Sequence, residues 1–135
     1  MVSTQRGFGS FSVDDVDAAR RFYEDVLGMR VTGDRGFLAL HLDSGTTFMV
    51  YPKEDHVPAS FTVLHLAVDD VDEVVDELGR QGVEMLRYES FDHDERGIVR
   101  GFMEGGDGAW FTDPAGNVIG LMDGPGAELF GAMTS

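Results

Sequence analysis

The pentapeptide VDDVD is written twice in this chain, at residues 13–17 and again at residues 68–72, a spacing of 55. Each copy follows an apolar stretch and precedes a run with helical spacing: Val16, Ala19, Tyr23 and Val26 in the first half, Val71, Val74, Val75 and Leu78 in the second. Such self-similarity requires that the two halves be read as copies of one structural unit. With 135 residues the chain has room for two small units and one fold.

The aspartates of the repeat are read as strand-to-helix joints. A carboxylate at a helix start accepts a free backbone N–H and meets the positive end of the helix dipole. Asp70 followed by Glu73 has the spacing of a capping box. These roles account for the aspartates without catalysis. Both helices run into a glycine, Gly28 and Gly82, and a strand-like segment follows each.

Strand candidates precede the joints, GFGSFSV and FTVLHLAV. Three more follow each helix: MRVTG, GFLALHL and TTFMVYP, then VEMLRYE, GIVRGFM and WFTDPAGNVIGLM. Each half therefore reads β-α-β-β-β, and the fold class is α+β. The stretch EGGDGAW is read as a hairpin turn, since a phosphate-binding loop would lead into a helix. The segment YPKEDHVPAS, with Pro52 and Pro58, is a short linker between modules at about 7–53 and 60–123. Residues 124–135 form a loosely held tail whose Leu129 and Phe130 are available to dock on a neighbouring surface.

Composition narrows the functions. The formal charge is −15, from 25 acidic and 10 basic residues, which disfavours a nucleic acid partner because phosphates require a basic surface. A cationic ligand would be attracted instead, although an acidic surface also serves solubility alone. Without cysteine there are no disulfides, thiolate metal sites or cysteine nucleophiles. No stretch is long and apolar enough to cross a bilayer, and the first residues lack the apolar core of a signal peptide, so a soluble cytoplasmic protein is expected.

VDDVDAARRFYEDVLGMRV in the first half, with VDDVDEV and WFTDPAGNVIGLMD in the second, resembles the vicinal oxygen chelate superfamily of glyoxalases, extradiol dioxygenases and the bleomycin, fosfomycin and mitomycin resistance proteins. The resemblance spans about residues 7–123. It implies two βαβββ modules, each supplying a curved mixed sheet, around a cavity for a small molecule. In metal-dependent members, a histidine early in each module's first strand and a glutamate on its last strand hold one divalent ion, leaving positions open for vicinal substrate oxygens.

Counting back five residues from the valine that opens each joint places the implied histidines at Phe8 and Val63. Aligning the last strands through Gly45 and Gly116 places the implied glutamates at Met49 and Gly120. None of the four is a ligand, and four apolar replacements leave no charge to offset desolvation of a divalent cation. No metal and no other cofactor is expected.

His65 lies two residues beyond Val63 and so shares its face by strand alternation. It is a candidate general base or ligand-binding group, or a cavity-wall histidine bonded to a neighbour. Ser10 and Ser12 share a face with Phe8 in the same way. Arg100 and Glu104 share the parity of Phe102, which with Trp110 and Phe111 offers aromatic surface for a planar ligand or, equally, for the core. His41 sits on a strand face open to solvent or cavity, His56 in the linker, and His93 among acids on a loop.

The expected function is metal-independent binding of a small molecule by a homodimer, with Phe8, Ser10, Ser12, Met49, Val63, His65, Arg100, Phe102, Glu104, Trp110 and Gly120 around the ligand. The alternative is a lyase, isomerase or dioxygenase-type enzyme with a rearranged or metal-free site.

Overall fold

The computed structural model describes residues 1–102 and 105–133, with side chains through 130. It divides into two compact units between Val57 and Pro58.

In the first unit, β1 (Gly9–Val13) leads through the first joint into α1 (Val16–Arg21), which continues as a π-helical stretch over Phe22–Val26. The joint is the cap the sequence predicts: Asp15 is extended, and its carboxylate accepts the Ala18 N–H at 3.0 Å. The widened turn, with Leu27 N–H bonded to the Phe22 carbonyl at 3.1 Å, departs from the expected uninterrupted α-helix. It accompanies two consecutive buried aromatics, Phe22 and Tyr23, whose rings meet edge to face at 5.4 Å.

Strands β2 (Arg30–Asp34), β3 (Phe37–His41) and β4 (Thr47–Pro52) complete a mixed sheet in the order β1-β4-β3-β2, with β1 parallel to β4. Alternation gives the sheet one buried face, carrying Phe11, Val13, Val31, Leu38, Leu40 and Val50 against Ala19, Phe22 and Tyr23. Full burial of each larger apolar side chain contributes about 1.5–3 kcal/mol, so this face fixes the register. Ser10, Ser12, Met49 and His41 stand on the other face.

In the second unit, β5 (Thr62–Ala67) leads through the second joint into α2 (Val71–Arg80), followed by β6 (Gly108–Thr112), β7 (Val118–Met122) and α3 (Gly124–Met133). The sheet order is β5-β7-β6, with β5 parallel to β7. Asp70 caps α2 by accepting the Asp72 N–H at 2.9 Å, while Asp123 accepts the Val71 N–H at 2.8 Å. Asp123 is thus a second acceptor at this helix start, beyond the capping-box pattern. At the far end Gly82 takes φ +84, a left-handed value that lets the Val83 N–H return to the Leu78 carbonyl at 2.9 Å.

This half departs from the expected strands. VEMLRYE contributes one rung beside β6, Leu86 N–H to the Trp110 carbonyl at 2.7 Å. GIVRGFM contributes bridges at Val99, to Gly108 and His93. The backbone between them is held by side chains: Tyr88 N–H donates to His93 Nε2, and the Arg96 and Ile98 N–H groups donate to Asp94 Oδ1, each at 2.9 Å. A ladder needs those same donors. WFTDPAGNVIGLM folds as a hairpin, because the buried Asp113 gathers the Ala115 and Asn117 N–H groups into a turn and Pro114 has no N–H for a ladder. The architecture is α+β, with mixed sheets of four and three strands. The tail forms helix α3, with Ala127 buried and Leu129 and Phe130 about half exposed.

Candidate functional site

Across the second sheet, Trp110 of β6, Gly120 of β7 and His65 of β5 stand in one register row. The opposite face holds Leu64, Ala109, Phe111, Ile119 and Leu121, all buried as core. The row's own face carries a second buried cluster, Val99, Trp110 and Val118, with Leu86, Tyr88 and Phe102 packed against it, while His65 at its β5 end is exposed.

His65 reaches this row through an irregularity. The register shifts between Thr62 and Leu64, so that Thr62 opposes Val118, Leu64 opposes Ile119 and Val63 is passed over. Simple alternation would have set Val63 beside His65 on one face; Thr62 takes that place. A Cβ at Gly120 would lie 2.9 Å from His65 Nδ1 and 3.2 Å from Thr62 Cγ2, so the absence of a side chain at Gly120 makes room for both. Burial by surrounding protein pushes the His65 pKa below 6.5, although the side chain keeps exposed surface. At neutral pH the ring is an uncharged imidazole with one donor and one acceptor nitrogen.

Trp110 is 6% exposed because aromatic rings enclose it. Phe91 lies parallel to the indole, at 11° and 5.4 Å between centroids. Tyr88 and Phe102 meet it edge-on at 5.5 Å and 5.1 Å. Phe102 gains its place from a second glycine on the same face, since a Cβ at Gly108 would lie 2.9 Å from its ring. His93 closes the group at 6.3 Å from Trp110. With Nε2 accepting from Tyr88 N–H, His93 carries its proton on Nδ1, which donates to the Gly97 carbonyl at 2.7 Å. It organises the loop.

Arg100 joins a different set of groups. Its guanidinium binds Asp72 at 2.7 and 2.9 Å, Asp94 at 3.0 Å and Asp107 at 2.9 Å. Arg96 binds Asp72 and, at 2.6 Å, Asp76. Arg100 and then Arg96, by hydrogen bonding, hold the Asp72 carboxyl far below the usual range, and the Arg100 pKa is raised in return, by Asp72 first. Between α2 and the segment that follows it lies a groove of about 360 Å³ whose lining includes Val75, Asp76, Met85 and Arg96. The Trp110 row is no part of it. Glu104 lies outside the described residues.

The other expected site residues belong to the first unit. Phe8 precedes β1 and is 68% exposed. Ser10 pairs with Met49, and Ser12 with Tyr51. Ser12 Oγ lies 2.7 Å from His56 Nδ1, a contact across 44 residues that sequence reading misses. His41 sits between two threonines, its Nε2 2.8 Å from Thr32 Oγ1 and its Nδ1 3.4 Å from Thr47 Oγ1. Sequence reasoning also missed Thr62, Phe91 and Tyr88. The one available signal was the glycines at Gly108 and Gly120, which share a face with Trp110.

The side chains do not fit a divalent ion. Phe8, Val63 and Gly120 offer no side-chain donor atom and Met49 only a soft thioether sulfur, and among the described residues no three histidine, aspartate or glutamate side chains are grouped to hold such an ion.

A repeated strand–helix–strand unit, one copy carrying an aromatic face beside a histidine, defines a two-module α+β protein of glyoxalase-like fold. The family profile of the Glyoxalase/Bleomycin resistance protein/Dioxygenase superfamily matches residues 8–121, and the chain belongs to that superfamily. Among solved structures, TnmS3, an antibiotic binding protein from Streptomyces sp. CB03234, is 25% identical, with 90% of this chain and 98% of that one aligned at a TM-score of 0.65. The genomically encoded fosfomycin resistance protein FosX from Listeria monocytogenes is 16% identical over 92% of this chain and 95% of that one, at 0.66. Lactoylglutathione lyase from Agrobacterium tumefaciens is 18% identical over 90% and 95%, also at 0.66. The last two likenesses are of fold. No curated protein matches the chain.

Proposed function

We propose that the chain is a metal-independent binder of small molecules, with its ligand resting on the face that carries Trp110, Gly120 and His65. The observation that supports this most is the state of Gly120. Where the superfamily resemblance implies a metal-binding glutamate, this chain has a bare position over which an uncharged imidazole lies. The face offers aromatic surface and one hydrogen-bonding ring, the mixture that holds and orients organic ligands. A net charge of −15 favours cations. Likeness to an antibiotic binding protein at 25% identity agrees with the same reading. We further place the protein in the cytoplasm as a homodimer.

A second reading rests on His65. An exposed imidazole on the ligand face, its pKa lowered by partial burial, offers an acceptor nitrogen as a general base, which fits lyase or isomerase chemistry without a metal.

Native mass spectrometry of protein purified without chelator, then exposed to cationic antibiotics with and without EDTA, tests the proposal. Saturable binding unchanged by EDTA and lost in Trp110→Ala is expected. Stoichiometric iron, nickel, manganese or zinc on protein side chains, or binding abolished by EDTA, overturns it. Turnover of a bound compound that His65→Gln removes would favour the enzyme.

A further inference from the structure

The broad face of Trp110 is already occupied. Phe91 lies on it at 11° and 5.4 Å, the relation that a planar ligand would take, while Tyr88 and Phe102 stand edge-on. Phe91 comes from residues 89–97, a segment with neither helix nor strand, and is itself 39% exposed. Its ring is thus an outer layer, whereas the indole beneath is 6% exposed.

The same segment is tied to α2 by charge. Arg96 binds Asp72 and Asp76, and Arg100, just beyond, binds Asp72 and Asp94. These side chains are 27–51% exposed, so salt screens the pairs.

We propose that Phe91 is an internal occupant of a planar-ring site: an aromatic ligand gains Trp110 by displacing the Phe91 ring, and the Arg96 and Arg100 ion pairs oppose that release by holding the segment down as a strap. This rests on the small-molecule reading above. It reverses the sign expected for an ordinary wall residue, because removing Phe91 strengthens binding. An offset aromatic stack shifts an equilibrium by roughly 2- to 13-fold, and a ligand that must first break one loses about that factor in apparent affinity.

Trp110 is the chain's one tryptophan, so its fluorescence reports the site directly. The planar cation proflavine serves as probe, with neutral acrylamide as quencher, at one fixed ionic strength. Phe91→Ala is expected to raise acrylamide quenching of Trp110 at least about twofold and to tighten proflavine binding roughly 2- to 13-fold. Phe91→Leu, which keeps apolar cover but loses the flat ring, is the second variant should alanine unfold the loop, and it is expected to tighten binding too. Arg96→Ala with Arg100→Ala should move both readouts in the same direction.

Weaker proflavine binding in both Phe91 variants makes Phe91 a wall of the site and overturns the displacement alone. Unchanged quenching in Phe91→Ala overturns it as well. If quenching rises yet neither wild type nor variant binds proflavine, the ligand reading of this face falls, and the displacement with it.

Discussion

Replacing Asp72 by asparagine tests the charge network at its hub. The Asp72 carboxylate accepts from Arg96 and, at 2.7 and 2.9 Å, from both terminal nitrogens of Arg100. All three side chains are more than a third exposed, 36%, 37% and 47% for Arg96, Asp72 and Arg100, so solvent screens the attraction. Exposed pairs contribute about 0.2–1 kcal/mol each, and an acidic group in the first turn of a helix adds about 0.3–1 kcal/mol. Asp72→Asn should therefore cost roughly 1–2 kcal/mol near pH 7 at low salt. The sign with pH follows from the pairing. Arg100 first, then Arg96, hold the native carboxyl below its ordinary 3.8, so the stabilisation is complete above 3.8 and is lost as pH falls through the native value. Urea unfolding followed by Trp110 fluorescence reads the unit that contains both groups. The gap between wild type and Asp72→Asn should hold steady from about pH 5 to 8, narrow in stronger acid, and shrink by half or more in 1 M NaCl. A gap below about 0.3 kcal/mol at low salt, or one indifferent to salt and acid, would refute the reasoning.

Two further substitutions probe packing and capping. Gly120→Ala drives a Cβ to within 2.9 Å of His65 Nδ1 and, because the exposed ring can move aside, should destabilise by only about 0.5–1.5 kcal/mol; in the double variant with His65→Ala most of that loss should return, as a double-mutant unfolding cycle would read. Asp15→Ala should cost about 1 kcal/mol in urea unfolding by removing the acceptor for Ala18 N–H, whereas Asp14→Ala, one residue before the N-cap and equally exposed, should stay within about 0.5 kcal/mol.

Much of the fold was legible because its determinants are local. The caps at Asp15 and Asp70 and the glycines that end the helices act over a few residues, and the five strands GFGSFSV, MRVTG, GFLALHL, TTFMVYP and FTVLHLAV fold close to where their alternation puts them. The segment 83–107 was not, since its backbone is organised by side chains met only in three dimensions, His93 on Tyr88 and Asp94 on Ile98. WFTDPAGNVIGLM is apolar on both sides of its turn, and the continuous pattern hid the hairpin. The site was legible in pieces. Trp110, Phe102 and Gly120 converge with His65, but Phe91 stacks on Trp110 from 19 positions away, and no spacing rule in a loop announces such a contact. The shift at Val63 has no local signal either, for β-branched residues serve regular and bulged strands alike.

That shift and Gly120 are best understood together. Had β5 run on from Thr62 opposite Val118 without interruption, Leu64 would oppose Gly120 and His65 would oppose Leu121, turning the imidazole into the core and a leucine onto the open face. Passing over Val63 returns Leu64 to the core, where it is 3% exposed, and sets His65 against Gly120. The ring then occupies the volume that any side chain at 120 would need. It follows that Val63 and Gly120, the two positions of this unit at which the superfamily resemblance implies metal ligands, are coupled through the strand pairing. Gly120→Glu would not simply supply a ligand, because its Cβ displaces His65, and Val63→His would put an imidazole at the one position of β5 that the pairing skips. Placing residue 63 on the face of Gly120 requires removing the irregularity between Thr62 and Leu64, so that residue 63 opposes Val118, as well as changing side chains.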